Sequence, residues 1–133
     1  MLLTPPAVLI LLGPLGAGKT TLVRQLLTRW GYTGRVASPS FDLVHRYPLP
    51  GRTVYHVDLY RVDDPREVEA LDLPAPGEAG TVVVAEWGAA LRDWYPDRLE
   101  LELTWGPDAG SRRPELRAFG ECRARLKAWL EGR

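Results

Sequence analysis

Asparagine is absent from the 133 residues, cysteine occurs once, at Cys122, and lysine occurs only at Lys19 and Lys127 against fifteen arginines. A single cysteine excludes an intramolecular disulfide and a cysteine-built metal site, so the expected compartment is a reducing cytosol. No stretch approaches the ~20 uninterrupted apolar residues of a membrane-spanning helix. No basic segment precedes the first apolar run, so a secretory signal is not expected either. Net charge is also missing: 17 Lys+Arg balance 17 Asp+Glu, which removes the simplest argument for a nucleic-acid binder. The charges are nonetheless segregated. Thirteen acidic residues lie between Asp58 and Asp108 beside only four arginines, whereas residues 111–133 carry seven basic and three acidic groups. That basic end reads as a solvated helix face, with a surface for a protein partner or an RNA as the alternative.

What is present suffices for one core, since 45% of the residues are hydrophobic. Ala7–Leu12 is a continuous apolar run, the pattern of a strand covered on both faces. A glycine-rich loop follows. Residues 20–30 then have helical spacing, with Leu22, Val23, Leu26, Leu27 and Trp30 on one stripe and Gly31 as the stop. Ser38-Pro39-Ser40 is a polar loop that proline keeps from being helical. Two strand-like runs, 41–47 and 53–60, flank Pro48-Leu49-Pro50-Gly51-Arg52 and predict an antiparallel hairpin. Asp63-Asp64-Pro65 opens a short helix to about Leu71. Residues 73–80 read as a loop and 81–87 as a second buried strand. Arg98–Trp105 alternates Leu99, Leu101, Leu103 and Trp105 with polar residues, the pattern of a half-exposed strand. Residues 113–119 pair with it at an edge, and 121–130 close the chain as a helix with Leu126, Trp129 and Leu130 inward. The order predicts a single α/β domain over residues 1–133, a mixed sheet flanked by helices with an antiparallel hairpin.

Gly13-Pro14-Leu15-Gly16-Ala17-Gly18-Lys19-Thr20 matches G-x-x-x-x-G-K-[ST] and lies between a strand and a helix, the context that pattern requires. Glycines let the backbone wrap a phosphate chain and aim its N–H groups at it. The helix beginning near Gly18 adds its positive end. Lys19 is placed to reach the β- and γ-phosphates and the Thr20 hydroxyl to hold Mg²⁺. The chain is therefore read as a P-loop nucleotide-binding protein, with ATP and Mg²⁺ as ligands. Such a site needs a carboxylate near the metal at a strand end. Thr81-Val82-Val83-Val84-Ala85-Glu86 has that form, with Glu in place of the usual Asp. Asp58 offers a second acid at the end of the less apolar Thr53-Val54-Tyr55-His56-Val57. Together the two acids fix Mg²⁺ and orient an attacking water. Ser38-Pro39-Ser40 lies where nucleotide switches often place a hydroxyl that senses the γ-phosphate. Read from spacing alone, an ordinary loop is the slightly favoured reading. His45 and His56 show no zinc spacing and read as packing or hydrogen-bonding histidines. Trp87, directly after Glu86, belongs either to the core or to the nucleotide site.

Gly13–Thr21, Ser38-Pro39-Ser40-Phe41-x-Leu43-Val44-x-x-Tyr47, Tyr55-His56-Val57-Asp58-Leu59-Tyr60-Arg61 and Glu86-Trp87, in this order and spacing, resemble the bacterial TsaE (YjeE) family across roughly residues 8 to 105. The Asp-Leu-Tyr-Arg block and the Glu-Trp pair are more specific than the phosphate loop. The resemblance implies a cytoplasmic ATPase that assists synthesis of threonylcarbamoyladenosine in tRNA, working with the TsaD and TsaB proteins. It also implies an indirect association with tRNA and none with membranes. Carried over residue by residue, Gly13, Leu15, Gly16, Ala17, Gly18, Lys19, Thr20 and Thr21 bind nucleotide, and Trp87 lies against it. Thr20 and Glu86 hold Mg²⁺. Lys19, Asp58 and Glu86 serve hydrolysis, and Ser40 is the switch hydroxyl. Three departures stand out. Pro14 replaces the family's usual Asp, and Ser40 replaces Thr, keeping the hydroxyl without the methyl that restricts its rotamer. Twelve residues precede Gly13 where the family usually has a strand and a helix. Either the pocket lacks what that segment supplies or the start of the chain is misassigned.

Other classes share a phosphate loop. A small-molecule kinase needs an acceptor pocket and an arginine-bearing lid, for which no segment stands out. A GTP switch normally uses Asn-Lys-x-Asp, which a chain without asparagine cannot contain. A nucleotide-dependent assembly factor without significant hydrolysis uses the same binding residues and stays open at this level.

Overall fold

The computed structural model describes residues 2–14, 16–37, 39, 43–62, 64–108 and 110–132. Its elements run β1 (Ala7–Leu12), α1 (Lys19–Arg29), β2 (Val44–Leu49), β3 (Arg52–Asp58), α2 (Pro65–Glu69), β4 (Thr81–Glu86), a 3₁₀ turn (Gly88–Leu91), β5 (Arg98–Trp105), β6 (Arg112–Phe119) and α3 (Cys122–Glu131). The six strands form one mixed sheet in the order β2-β3-β4-β1-β5-β6. The four central strands are parallel, and an antiparallel strand closes each edge.

The apolar alternation of β1 explains the layering. Ala7, Leu9 and Leu11 face α1, where Val23 and Leu27 join Val54, Val82, Val84 and Leu99 in one core. Val8 and Ile10 face the other way and pack with Val57, Leu59, Val83 and Ala85 under Val68 of α2, Leu91 and Tyr95. Helical elements thus cover both faces, as continuous apolar strands require.

The expected α/β class, mixed sheet and antiparallel hairpin hold, with local differences. The hairpin turn is tighter than the run of turn residues suggested: Pro48 and Leu49 belong to β2 and Arg52 to β3. Pro48 is tolerated because β2 is an edge strand, where a missing N–H costs no ladder bond. Asp64 is the N-cap of α2 and accepts from the Arg66 N–H, but that helix ends at Glu69, before Leu71. In α3 the expectation of an inward Trp129 and Leu130 fails. They are 39% and 53% exposed, and only Cys122 is fully buried.

A second correction concerns β5. Its polar phase was read as solvated, yet Glu100 is 1% exposed. Its carboxylate accepts from Arg92 Nε and Nη2 at 3.0 and 2.9 Å and from Arg98 Nε at 2.7 Å. Burial pushes the Glu100 carboxyl up, but these hydrogen bonds outweigh it and hold it below the ordinary value. An unfolded Glu100 binds its proton at a higher pH than the folded one. The group therefore stabilises the fold above about pH 4.5 and loses that contribution as pH falls further. Glu100→Ala, which leaves the half-buried Arg98 without its acid, is expected to cost about 2–4 kcal/mol at pH 7. It should also flatten the acid limb of a urea-denaturation series run from pH 7 to pH 3. An unchanged urea midpoint at pH 7 would show that the buried ion pair contributes nothing.

Candidate nucleotide site

The parallel register sets the site. Leu11 of β1 lies opposite Glu86 of β4, and Glu86 lies opposite Asp58 of β3, so three strands end level beside the loop that leaves β1. The loop needs its glycines for stated reasons. Gly13 has φ 134°, and a Cβ there would collide with the Leu103 carbonyl oxygen of β5. Gly18 has φ 100° and caps the N-terminus of α1. Ala17 is buried under the loop, with its N–H on the Pro14 carbonyl.

Lys19, 5% exposed, points back into this loop. Its Nζ donates to the carbonyls of Gly13 at 2.5 Å and Pro14 at 3.0 Å, and lies 4.0 Å from the centroid of the Trp87 ring. Burial holds the ammonium below its ordinary pKa, while Glu86 and Asp58 pull it back up. The Thr20 hydroxyl donates to Glu86 Oε1 at 2.7 Å across 66 residues of sequence. On the other carboxylate oxygen, His56 Nε2 donates to Oε2 at 2.5 Å. His56 is wholly buried, and its Nδ1 finds no partner among the described residues. Asp58 is half-buried, and its Oδ1 accepts from the Tyr60 N–H at 3.1 Å. Trp87 sits at φ 57° with its N–H on the Leu11 carbonyl, and its ring meets that of Tyr60 at 4.9 Å between centroids.

The structure therefore brings together Lys19, Thr20, Asp58, Glu86 and Trp87, which with Gly16, Gly18, Thr21 and Tyr60 line an open cavity of about 270 Å³. Leu15 and Ser40, also expected here, lie outside the described residues. Three participants were missed or underread. His56 was read only as a packing or hydrogen-bonding residue, and its partner is Glu86. The strand alternation carried the signal, since Val54, His56 and Asp58 share the α1 face. Tyr60 entered only as part of a motif. Arg112, from β6, donates Nη2 to the Gly16 carbonyl at 3.0 Å across 96 residues, a contact with no sequence signal.

The donor set beside Thr20 is all oxygen, one hydroxyl and two carboxylates, and suits a hard cation such as Mg²⁺. Among the described residues no group of three or more His, Cys, Asp or Glu could hold a metal by itself. That fits Mg²⁺, which takes one or two carboxylates and completes its shell with phosphate oxygens and water.

A family model described as threonylcarbamoyl adenosine biosynthesis protein TsaE matches residues 1–113. The chain belongs to the TsaE family. The tRNA threonylcarbamoyladenosine biosynthesis protein TsaE of Haemophilus influenzae is 41% identical over 113 residues, covering 75% of this chain and 72% of that protein. The protein of the same name from Nostoc is 37% identical over 121 residues, covering 88% and 74%. The crystal structure of YdiB from Bacillus subtilis superposes with a TM-score of 0.70 at 25% identity, over 95% of this chain and 78% of that one. The phosphate loop, the Asp58 block and the Glu86-Trp87 pair of this TsaE-family chain all lie inside the matched span.

Removing the imidazole donor tests the geometry without any ligand. His56→Phe leaves Glu86 Oε2 buried without that hydrogen bond, and should lower stability by about 1–3 kcal/mol in urea denaturation. His56→Gln, which retains an N–H donor, should recover part of the loss. Equal midpoints for wild type and His56→Phe would mean the contact has no energetic weight.

Proposed function

We propose that this chain binds ATP with Mg²⁺, hydrolyses it slowly to ADP and phosphate, and serves tRNA threonylcarbamoyladenosine biosynthesis together with TsaD and TsaB. One observation carries the ATPase reading: the Thr20 hydroxyl of the phosphate loop is hydrogen-bonded to Glu86, an acid at the end of a different buried strand. A glycine-rich turn with an incidental lysine gives no reason for that meeting. The pathway assignment is supported by family membership and by the names its relatives carry.

On this reading residues 1–133 act as one P-loop ATPase domain. Gly13, Leu15, Gly16, Ala17, Gly18 and Thr21 wrap the phosphates with backbone N–H groups. Lys19 exchanges its carbonyl partners for β- and γ-phosphate oxygens, and the arriving negative charge compensates the burial that now disfavours its ammonium. Thr20 and Glu86 hold Mg²⁺, which when bound neutralises charge developing on the phosphate oxygens. His56 fixes the Glu86 carboxylate from behind. Asp58, beside Glu86 in register, orients the water that attacks the γ-phosphorus. Trp87 walls the phosphate side through its contact with the Lys19 ammonium. Ser40, in the segment preceding β2, is the hydroxyl that responds to the γ-phosphate. Adenine is preferred to guanine, because the usual guanine-reading asparagine cannot exist in this chain. No helix among the described residues is long and apolar enough to cross a membrane, and the site of action is the cytoplasm.

Two measurements test this. Lys19→Ala should weaken ATP binding about 10- to 100-fold by calorimetry, the loss of charge-assisted hydrogen bonds, and remain folded. Near wild-type affinity in the folded variant would overturn the phosphate-loop assignment. Steady-state phosphate release at saturating Mg-ATP should be slow for the chain alone. TsaB and TsaD from the same organism should accelerate it, by up to roughly 10³-fold if they complete the site electrostatically. Glu86→Gln should suppress that turnover more than ATP binding. A fast basal rate indifferent to partners would favour a kinase, and no hydrolysis under either condition would favour a non-hydrolysing assembly factor.

A further inference from the structure

The zero net charge conceals an uneven distribution over the two faces of the sheet. Leu99 belongs to the α1 core and Leu101 packs against it, so Arg98, Glu100 and Glu102 project from the opposite face of β5. Arg92, Arg117 and Glu115 pair with one another's neighbours on that same face, and Arg66 pairs with Asp64 at the head of α2. Residues 59–80, which supply α2, hold six acids against Arg61 and Arg66. The α2 side is therefore acidic, and its arginines are engaged.

The α1 side is the reverse. Residues 19–36 contain Lys19, Arg24, Arg29 and Arg35 and no acid. The first residue of α3, Cys122, is buried in the same core as Val23 and Leu27 of α1, and α3 adds Arg123, Arg125 and Lys127 against Glu131. Arg24, Arg29, Arg35, Arg123 and Lys127 are exposed, and none of them has an ion-pair partner among the described residues. Like charges gathered on one side repel one another, and a polyanion removes that repulsion. On α3, four residues beyond Arg125, the indole of Trp129 is 39% exposed.

We infer that α1 and α3 form a surface for the phosphate backbone of RNA, and that the tRNA of the family's pathway touches this chain directly. Unpaired cations alone would also suit an acidic protein. The exposed indole favours RNA, since it offers a face on which an unpaired base can stack. So does membership of a family whose relatives are named for a tRNA modification. The inference does not rest on the ATPase reading, because none of these five cations lines the phosphate-loop cavity.

Fluorescence anisotropy of a labelled, unmodified tRNA transcript, titrated with the chain in the absence of nucleotide, tests this between about 50 and 200 mM salt. Affinity should fall steeply with salt, because each neutralised phosphate releases counterions. Arg24→Glu with Arg29→Glu should weaken binding about tenfold or more and reduce the salt slope by about 1–2. Arg123→Glu with Lys127→Glu should do the same. Trp129→Ala should weaken binding about fivefold or more with the slope unchanged, since stacking releases no counterions. Arg46 lies on the face of Val44, which packs into the α2 core. Arg46→Glu with Arg66→Glu therefore makes the same charge change on the acidic side, and should stay within about twofold of wild type. Urea midpoints near that of wild type identify the folded variants. Absence of binding at about 50 mM salt would overturn the inference. Equal losses in the Arg46/Arg66 variant would do so too, by making net charge the cause. Poly-glutamate that displaces the transcript as readily as unlabelled RNA of equal charge would also overturn it, and would mark this side as a surface for an acidic protein. With nucleotide absent, none of these outcomes bears on the ATPase reading.

Discussion

The buried Glu86 carboxylate, 4% exposed and shared between Thr20 and His56, is the group the rest of the structure must accommodate. It closes a strand, Thr81–Glu86, that is buried along its whole length. Val82 and Val84 fill one core while Val83 and Ala85 fill the other. Apolar burial alone therefore discriminates weakly between registers of β4, because a slip of one residue exchanges one small apolar side chain for another. For Glu86 the same slip is costly. It would turn the carboxylate to the opposite face, away from both donors, and an unpaired buried carboxylate costs several kcal/mol. The polar end of the strand fixes what its apolar body leaves nearly degenerate.

The consequences run outward from that register. With Glu86 level with Leu11 and Asp58, the parallel strands deliver two acids to the edge from which the glycine loop rises. Thr20 reaches Glu86 only because α1 begins at Lys19, immediately after a glycine at φ 100°. The ammonium of Lys19, desolvated yet drawn by both acids, then sits where the loop, β3 and β4 meet. On the proposed reading this arrangement also accounts for the need for a divalent cation. One ammonium and two carboxylates do not by themselves attract a triphosphate, and a cation between acids and phosphates removes the repulsion.

The phosphate loop was legible because its chemistry is local: eight consecutive residues determine a backbone shape. β1, β4 and β5 were legible for the same reason, through unbroken or alternating apolar runs. The failures are nonlocal. Trp129 and Leu130 fit a helical stripe, but periodicity names the face of a helix, not what covers it. Glu100 occupied a polar phase and was read as solvated, since the arginine from the segment after the 3₁₀ turn that buries it lies eight residues away. His56 and Glu86 are thirty residues apart, and their meeting depends on the pairing of β3 with β4. Arg112 meets Gly16 only through the β5–β6 hairpin folding back over the loop.

These contacts bear on how the site can bind anything. The polar side chains around the loop already have protein partners: Lys19 donates to two loop carbonyls, Thr20 to Glu86, and Arg112 to Gly16 and Gly110. A phosphate ligand therefore gains only the difference between the bonds it forms and those it displaces. For Lys19 the exchange is favourable. A hydrogen bond from an ammonium to an anionic oxygen is roughly twice as strong as one between neutral groups, and exceeds that from the same ammonium to a neutral carbonyl. On the proposed reading Thr20 would exchange its donated bond to Glu86 for a lone pair on the cation, so its contribution would depend on the metal arriving with the phosphates. On the proposed reading, binding of nucleotide and cation by this loop would be cooperative for a structural reason: the Glu86 carboxylate that now accepts from Thr20 would have to serve the cation instead.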